Sequence, residues 1–112
     1  MKKLTRQDCL SVNDLALKEY TVKAWDGVVY IKKMTAKDQI QFEDMSQGKD
    51  RKNIFSRLIV MCVCDENGNK LFTEADMDAL NNKSASAVIE LFTAISEINS
   101  VSQEDVEDLA KN

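Results

Sequence analysis

The stretch YTVKAWDGVVYIKK, residues 20–33, limits what this chain can fold into more than any other part of it. It is dense in β-branched and aromatic residues and is interrupted at Asp26-Gly27, the dipeptide favoured by two-residue type I′ hairpin turns. An antiparallel hairpin over about residues 17–33 is therefore expected. With Asp26 and Gly27 as the turn residues, Trp25 would face Val28, Ala24 would face Val29, Lys23 would face Tyr30 and Val22 would face Ile31. One side of the ribbon then carries Tyr20, Val22, Ala24, Val29 and Ile31, a natural core face. The other mixes Thr21, Lys23 and Lys32 with Trp25, Val28 and Tyr30, which leaves an apolar patch near the tip. A lone hairpin is marginal in water, so this one must pack on helices or pair with another chain.

Helix signals surround it. Thr5 with Asp8 is a weak capping box for a short helix near the N-terminus. Thr35 and Asp38 cap a helix over 36–47 that stops at Gly48. The next segment, KDRKNIFSRLIVMCVC, places Ile54, Leu58 and Met61 on one ridge and Phe55, Ile59 and Cys62 on the next. That breadth of apolar surface predicts a central buried helix over about 50–64, although its β-branched end LIVMCVC leaves a strand open. Thr73 with Asp76 starts a short helix over 74–82, and Ser84 starts an amphipathic one over 85–99 through Val88, Leu91, Phe92, Ile95 and Ile98. Ser102 with Asp105 predicts a last helix over 103–110 with acids in its first turn. The expected class is mostly α with one N-terminal β-hairpin (α+β), a compact single-domain helical bundle spanning residues 1–112.

Composition narrows the function. A length of 112 residues suits one domain with one modest core, and 44% apolar with 30% charged residues suits a folded globular chain. The longest apolar run, Leu58–Cys64, is far short of the roughly 20 residues that cross a bilayer, so no membrane role and a cytoplasmic location are expected. Fifteen basic against 19 acidic residues, with no strongly basic cluster, argue against nucleic acid as a partner. The charge is uneven all the same: Lys49, Arg51, Lys52 and Arg57 are grouped in the middle while SQEDVEDLAKN is acidic. There is no His, which removes the commonest general base and transition-metal ligand. Cys9, Cys62 and Cys64 make no disulfide framework and are read as reduced, buried thiols. No catalytic residue, metal ligand set or cofactor is indicated.

One stretch needs a separate test. In CDENGNKLFTEAD, residues 64–76, Asp65, Asn67 and Asn69 alternate as in an EF-hand calcium loop. The match then fails, because the glycine required at the sixth position is Lys70 and the bidentate Glu of the twelfth is Asp76. A structural account uses more of the residues: Asn67-Gly68 turn the chain, Leu71 and Phe72 return to the core, and Thr73 caps the next helix with Asp76. A calcium-binding module at 65–76 stays as an alternative, as does a small regulatory protein-binding domain.

Taken together, the W-D-G-x-V-Y-I hairpin, the C-x-x-D-x-x-G-N-x-L-F-T-x-x-D segment and the N-K-S-x-x-A-x-x-x-L-F helix resemble the small tail assembly chaperones of long-tailed, lambdoid-type bacteriophages and prophages. The resemblance covers nearly the whole chain, and none of these motifs is catalytic. It implies a non-enzymatic protein of the host cytoplasm that self-associates, binds the tape measure protein, helps recruit major tail protein and is absent from the finished virion. It further implies that a longer frameshifted product, extended at the C-terminus, contacts the tail tube protein. The residues chosen for partner or self-association are Trp25, Val28 and Tyr30 at the hairpin tip, together with exposed apolar positions on the 85–98 helix.

Overall fold

The structure, a computed structural model, describes residues 1–99, and for Lys49 and Asp50 the backbone only. The helix expected over 103–110 lies outside the described residues. Helix α1 (Arg6–Ser11) is held by the expected box, in which the Thr5 amide donates to Asp8 Oδ2 at 3.0 Å and the Asp8 amide to Thr5 Oγ1 at 3.1 Å. It buries none of its own residues. The chain continues through β1 (Leu17–Val22) and β2 (Gly27–Lys32) to α2 (Ala36–Gln47), which starts at a second Thr-Asp box and buries Phe42. The class is α+β, in one small, compact, largely helical domain.

The hairpin forms, but with a four-residue loop in place of the expected two-residue turn. Val22 pairs with Gly27, Tyr20 with Val29 and Lys18 with Ile31. Lys23–Trp25 make a 3-10 turn, and Asp26 itself takes the left-handed conformation at φ 49° and ψ 50°, which Asp tolerates better than most residues. Gly27 is thereby released to begin β2. The pairing departs from the expected one by an even number of residues, so the residues that stay in the strands keep their faces while Lys23, Ala24 and Trp25 pass into the loop: Val22 and Ile31 are buried, with Tyr20 and Val29 packed beside them. Contacts outside the hairpin account for the longer loop. Trp25 turns inward against the core, and Glu90 Oε1 accepts from the Tyr20 hydroxyl at 3.0 Å and from the Lys23 amide at 3.4 Å.

The helix expected over 50–64 is divided into three parts. A 3-10 turn covers Lys49–Asn53, α3 covers Ile54–Cys62, and Val63–Cys64 form β3, which adds antiparallel to β2 through Ile31↔Val63 and Tyr30↔Cys64. The sheet of the described residues is thus three-stranded, in the order β1-β2-β3. The strand preference of β-branched Val63 prevails at the end of the run because Ile31 offers it a paired, fully buried place in the sheet. Within α3, Leu58, Ile59, Val60, Met61 and Cys62 are all buried, and buried Ser56 satisfies its hydroxyl on Asn53 O at 3.1 Å.

A 3-10 turn at Glu74–Asp76 leads into α4 (Met77–Asn81), and α5 (Ala85–Ile98) closes the core on α3 with Ala87, Val88, Leu91, Ala94 and Ile95. Phe92 of α5 stands edge-on to Phe55, with ring centroids 4.8 Å apart, and tilted against Phe42 at 6.2 Å. At the far end of α5, Asn99 receives the Met34 amide on Oδ1 at 2.7 Å and donates Nδ2 to Ile95 O at 2.9 Å. This one side chain ties the exit of the hairpin to the exit of the last described helix. No described helix is long and apolar enough to cross a membrane.

Candidate partner-binding surfaces

The three residues selected at the hairpin tip are placed differently from one another. Val28 sits opposite Thr21 on the outer face of the sheet and is 51% exposed. Tyr30, two residues on and so on the same face, is half-buried between Glu19 and Cys64. Trp25 has left that face for the loop, where it packs against the core. The tip therefore presents Val28 and part of Tyr30, and Trp25 acts as a wedge beneath it.

The 64–76 stretch closes as a hairpin of the kind built from a type I turn followed by a left-handed glycine. The Gly68 amide donates to Asp65 O at 3.0 Å, Gly68 takes φ +84°, and the Asp65 amide donates to Asn69 O at 2.9 Å. Asp65 Oδ1 accepts the amides of Asn67 at 2.8 Å and Asn69 at 3.0 Å. These bonds, that from Asn69 foremost, hold the Asp65 carboxyl below its ordinary value. Asp76 is likewise engaged, its Oδ2 receiving the Thr73 amide at 2.8 Å. Among the described residues no group of three His, Cys, Asp or Glu is placed to hold a metal ion. Phe72 packs against the core as expected, whereas Leu71 points to solvent because the bridge Cys64↔Lys70 fixes the strand alternation after the turn.

The Asp65 geometry gives an acid-side prediction. A carboxyl whose folded value is depressed contributes stability above its unfolded value and loses it as pH falls through the folded one. The melting temperature should hold above about pH 5 and fall below about pH 4, and Asp65→Asn should make that fall shallower. Calorimetric scans between those limits check it, and identical acid slopes in the two proteins would refute the assignment.

Of the thiols, Cys62 and Cys64 are buried as expected. Desolvation pushes the Cys62 thiol up to about 12 and raises Cys64 as well, its Sγ lying 3.5 Å from Tyr30 O. Cys9 departs from the expectation. It lies on α1, which has no core to enter, and is exposed.

A groove of about 380 Å³ opens where the starts of α3 and α5 meet the end of α4. Its apolar wall is Phe55, Ala85, Val88 and Ile89, with Phe55 39% and Ile89 47% exposed. Lys52 and Lys83 stand at its edge, and Asn81 Nδ2 donates to Asn53 Oδ1 at 3.0 Å within it. Phe55 was expected on the buried ridge with Ile59 and Cys62. It turns outward because it belongs to the first turn of α3, at the margin of the α3–α5 contact. Ile89 was foreseeable as one of the exposed apolar positions of the 85–98 helix, but the groove itself joins segments about 30 residues apart and has no signature in local sequence.

These elements define a small α+β domain in which helices pack on one face of a three-stranded antiparallel sheet around a buried α3. Residues 7–99 match the family model described as phage tail assembly chaperone, and the chain belongs to that family. Among solved structures it is similar to the bacteriophage HK97 tail assembly chaperone, with a TM-score of 0.57 at 11% identity, over 77% of this chain and 84% of that one. At that identity the likeness is one of fold. Comparison with curated proteins finds no significant match.

Proposed function

We propose that this chain is a non-enzymatic chaperone of phage tail morphogenesis that binds the tape measure protein in the host cytoplasm and helps recruit major tail protein around it. In this reading it works as a homo-oligomer, leaves before the virion is complete, and has a longer frameshifted form that contacts the tube protein. Family membership over residues 7–99 carries the proposal. The surface chemistry supports it: exposed apolar side chains at Val28, Phe55 and Ile89 suit the holding of another chain.

Co-expression with the tape measure protein of the same genome tests the role directly. The wild-type chain should keep that protein soluble and co-purify with it. Val28→Glu combined with Tyr30→Ala, on the outer sheet face, should weaken capture roughly tenfold, as loss of an interface anchor does. Trp25→Ala should instead lower the chain's own stability, since Trp25 packs inward. Tape measure protein that is equally insoluble with and without the chain would remove the proposal.

A further inference from the structure

We propose that the groove between α3 and α5 is a docking site for one amphipathic helix of a partner protein, whose apolar side chains one turn apart are flanked by carboxylates. This deepens the chaperone reading and rests on it, because an assembly chaperone must grip a partner chain somewhere. The apolar half of the inference follows from Phe55 and Ile89, two large side chains left 39% and 47% exposed beside Val88 and Ala85 in one open groove. Such neighbouring exposure marks a contact surface more than scattered single residues do.

The choice of acidic flanks follows from charge. The chain carries a net charge of −4, yet among the described residues the groove is lined by Lys52 and Lys83 and by no carboxylate. Among the described residues neither lysine is ion-paired; the pairs present are Lys2–Asp8 and Arg57–Glu74. Two helices of useful length, α3 and α5, both begin at this groove, and neither has an acidic residue in its first turn. Their N-terminal partial positive charges add to those of the lysines, and the end of the five-residue α4 opposes them with one short helix terminus. The Ser84 hydroxyl caps α5 by accepting the Ala87 amide at 3.2 Å, which leaves other first-turn amides of α5 without an intrahelical partner.

An apolar wall with a cationic edge selects a helix that presents leucine-like anchors and acidic neighbours, as in helix-in-groove recognition. A purely anionic polymer would waste the wall, and a purely apolar segment would waste the edge.

The test uses the full chain and three labelled helical peptides of about 15 residues, roughly four turns. The first carries two leucines four residues apart, flanked by glutamates. The second replaces the glutamates with lysines, and the third replaces the leucines with alanines. The glutamate peptide should bind about tenfold or more tightly than either twin, and less tightly as salt rises, since the edge charges are exposed. Lys52→Glu with Lys83→Glu should reverse the preference between the first two peptides. Ile89→Glu should abolish binding with little change in melting temperature, the site being on the surface.

Equal binding of all three peptides, or binding that survives Ile89→Glu, overturns the proposal. Dissociation of a self-assembled chain by Ile89→Glu would give the groove to a second copy. A tenfold gain in peptide affinity on Leu109→Glu would give it to the chain's own acidic terminal segment. Either of these also overturns it. Tape measure solubility is measured separately, so an empty groove and a failed chaperone role are told apart.

Discussion

Leu91→Ala is expected to lower the unfolding free energy by about 3 kcal/mol, within the 2–5 kcal/mol range of buried leucine truncations. Leu91 is fully buried on α5, at the contact with α3 on which the helical layer depends. Truncation there removes apolar contacts and leaves a cavity beside α3, whose end is anchored in the sheet by the pairing of Val63 with Ile31. For a domain of this size the loss is a large part of a total of about 5–15 kcal/mol, and it should lower the melting temperature by about 10–20 °C. Ile89→Ala, two residues away on the same helix, is the control. Ile89 faces the groove and is half exposed, so its truncation should stay within about 1 kcal/mol of the parent. Urea or thermal unfolding of the two variants checks the pair, and similar destabilisation by both would mean that the burial assigned along α5 is wrong.

The second large effect concerns thiol chemistry. In the native protein one of three cysteines, Cys9, should react promptly with a disulfide reagent near neutral pH, and the other two only after unfolding. Desolvation pushes the Cys62 thiol up to about 12, which keeps it protonated and unreactive near neutral pH. Burial adds to this by denying access. Cys64, also raised and set against Tyr30 O, should follow Cys62 because β3 and α3 are one continuous segment. A timed colour reaction with and without denaturant reads the stoichiometry directly. Three equally fast thiols in the native state would contradict the placement of the 62–64 segment.

Features governed by neighbours in sequence were legible before the fold was known. The Thr5-Asp8 and Thr35-Asp38 boxes, the left-handed Gly68 and the extent of α2 depend on a few consecutive residues, and they form as local chemistry dictates. The hairpin register was not legible, because Asp26-Gly27 carries a strong local signal that distant groups override. Glu90, 70 residues from Tyr20, supplies an acceptor for both the Tyr20 hydroxyl and the Lys23 amide, and Trp25, placed in the four-residue loop, packs against the core. The short β3 was legible only as an alternative, since LIVMCVC suits a helix and a strand alike until Ile31 is there to pair with Val63. The groove was least visible of all. Phe55 looked like a member of an apolar face and Ile89 lay outside the one read along 85–99, and only the packing of three helix ends brings the two side chains into one groove.

The position of α5 has a consequence for synthesis. Residues that emerge early from the ribosome, the hairpin and α3, depend on the last described helix for their cover: Leu91 and Ile95 seal α3, Glu90 secures the hairpin loop, and Asn99 secures the Met34 amide. Translation adds about 5–20 residues per second, so a nascent chain holds its apolar α3 unsealed for several seconds. A member of a chaperone family thus itself exposes, until α5 is made, apolar surface of the kind that makes unfinished chains prone to aggregate.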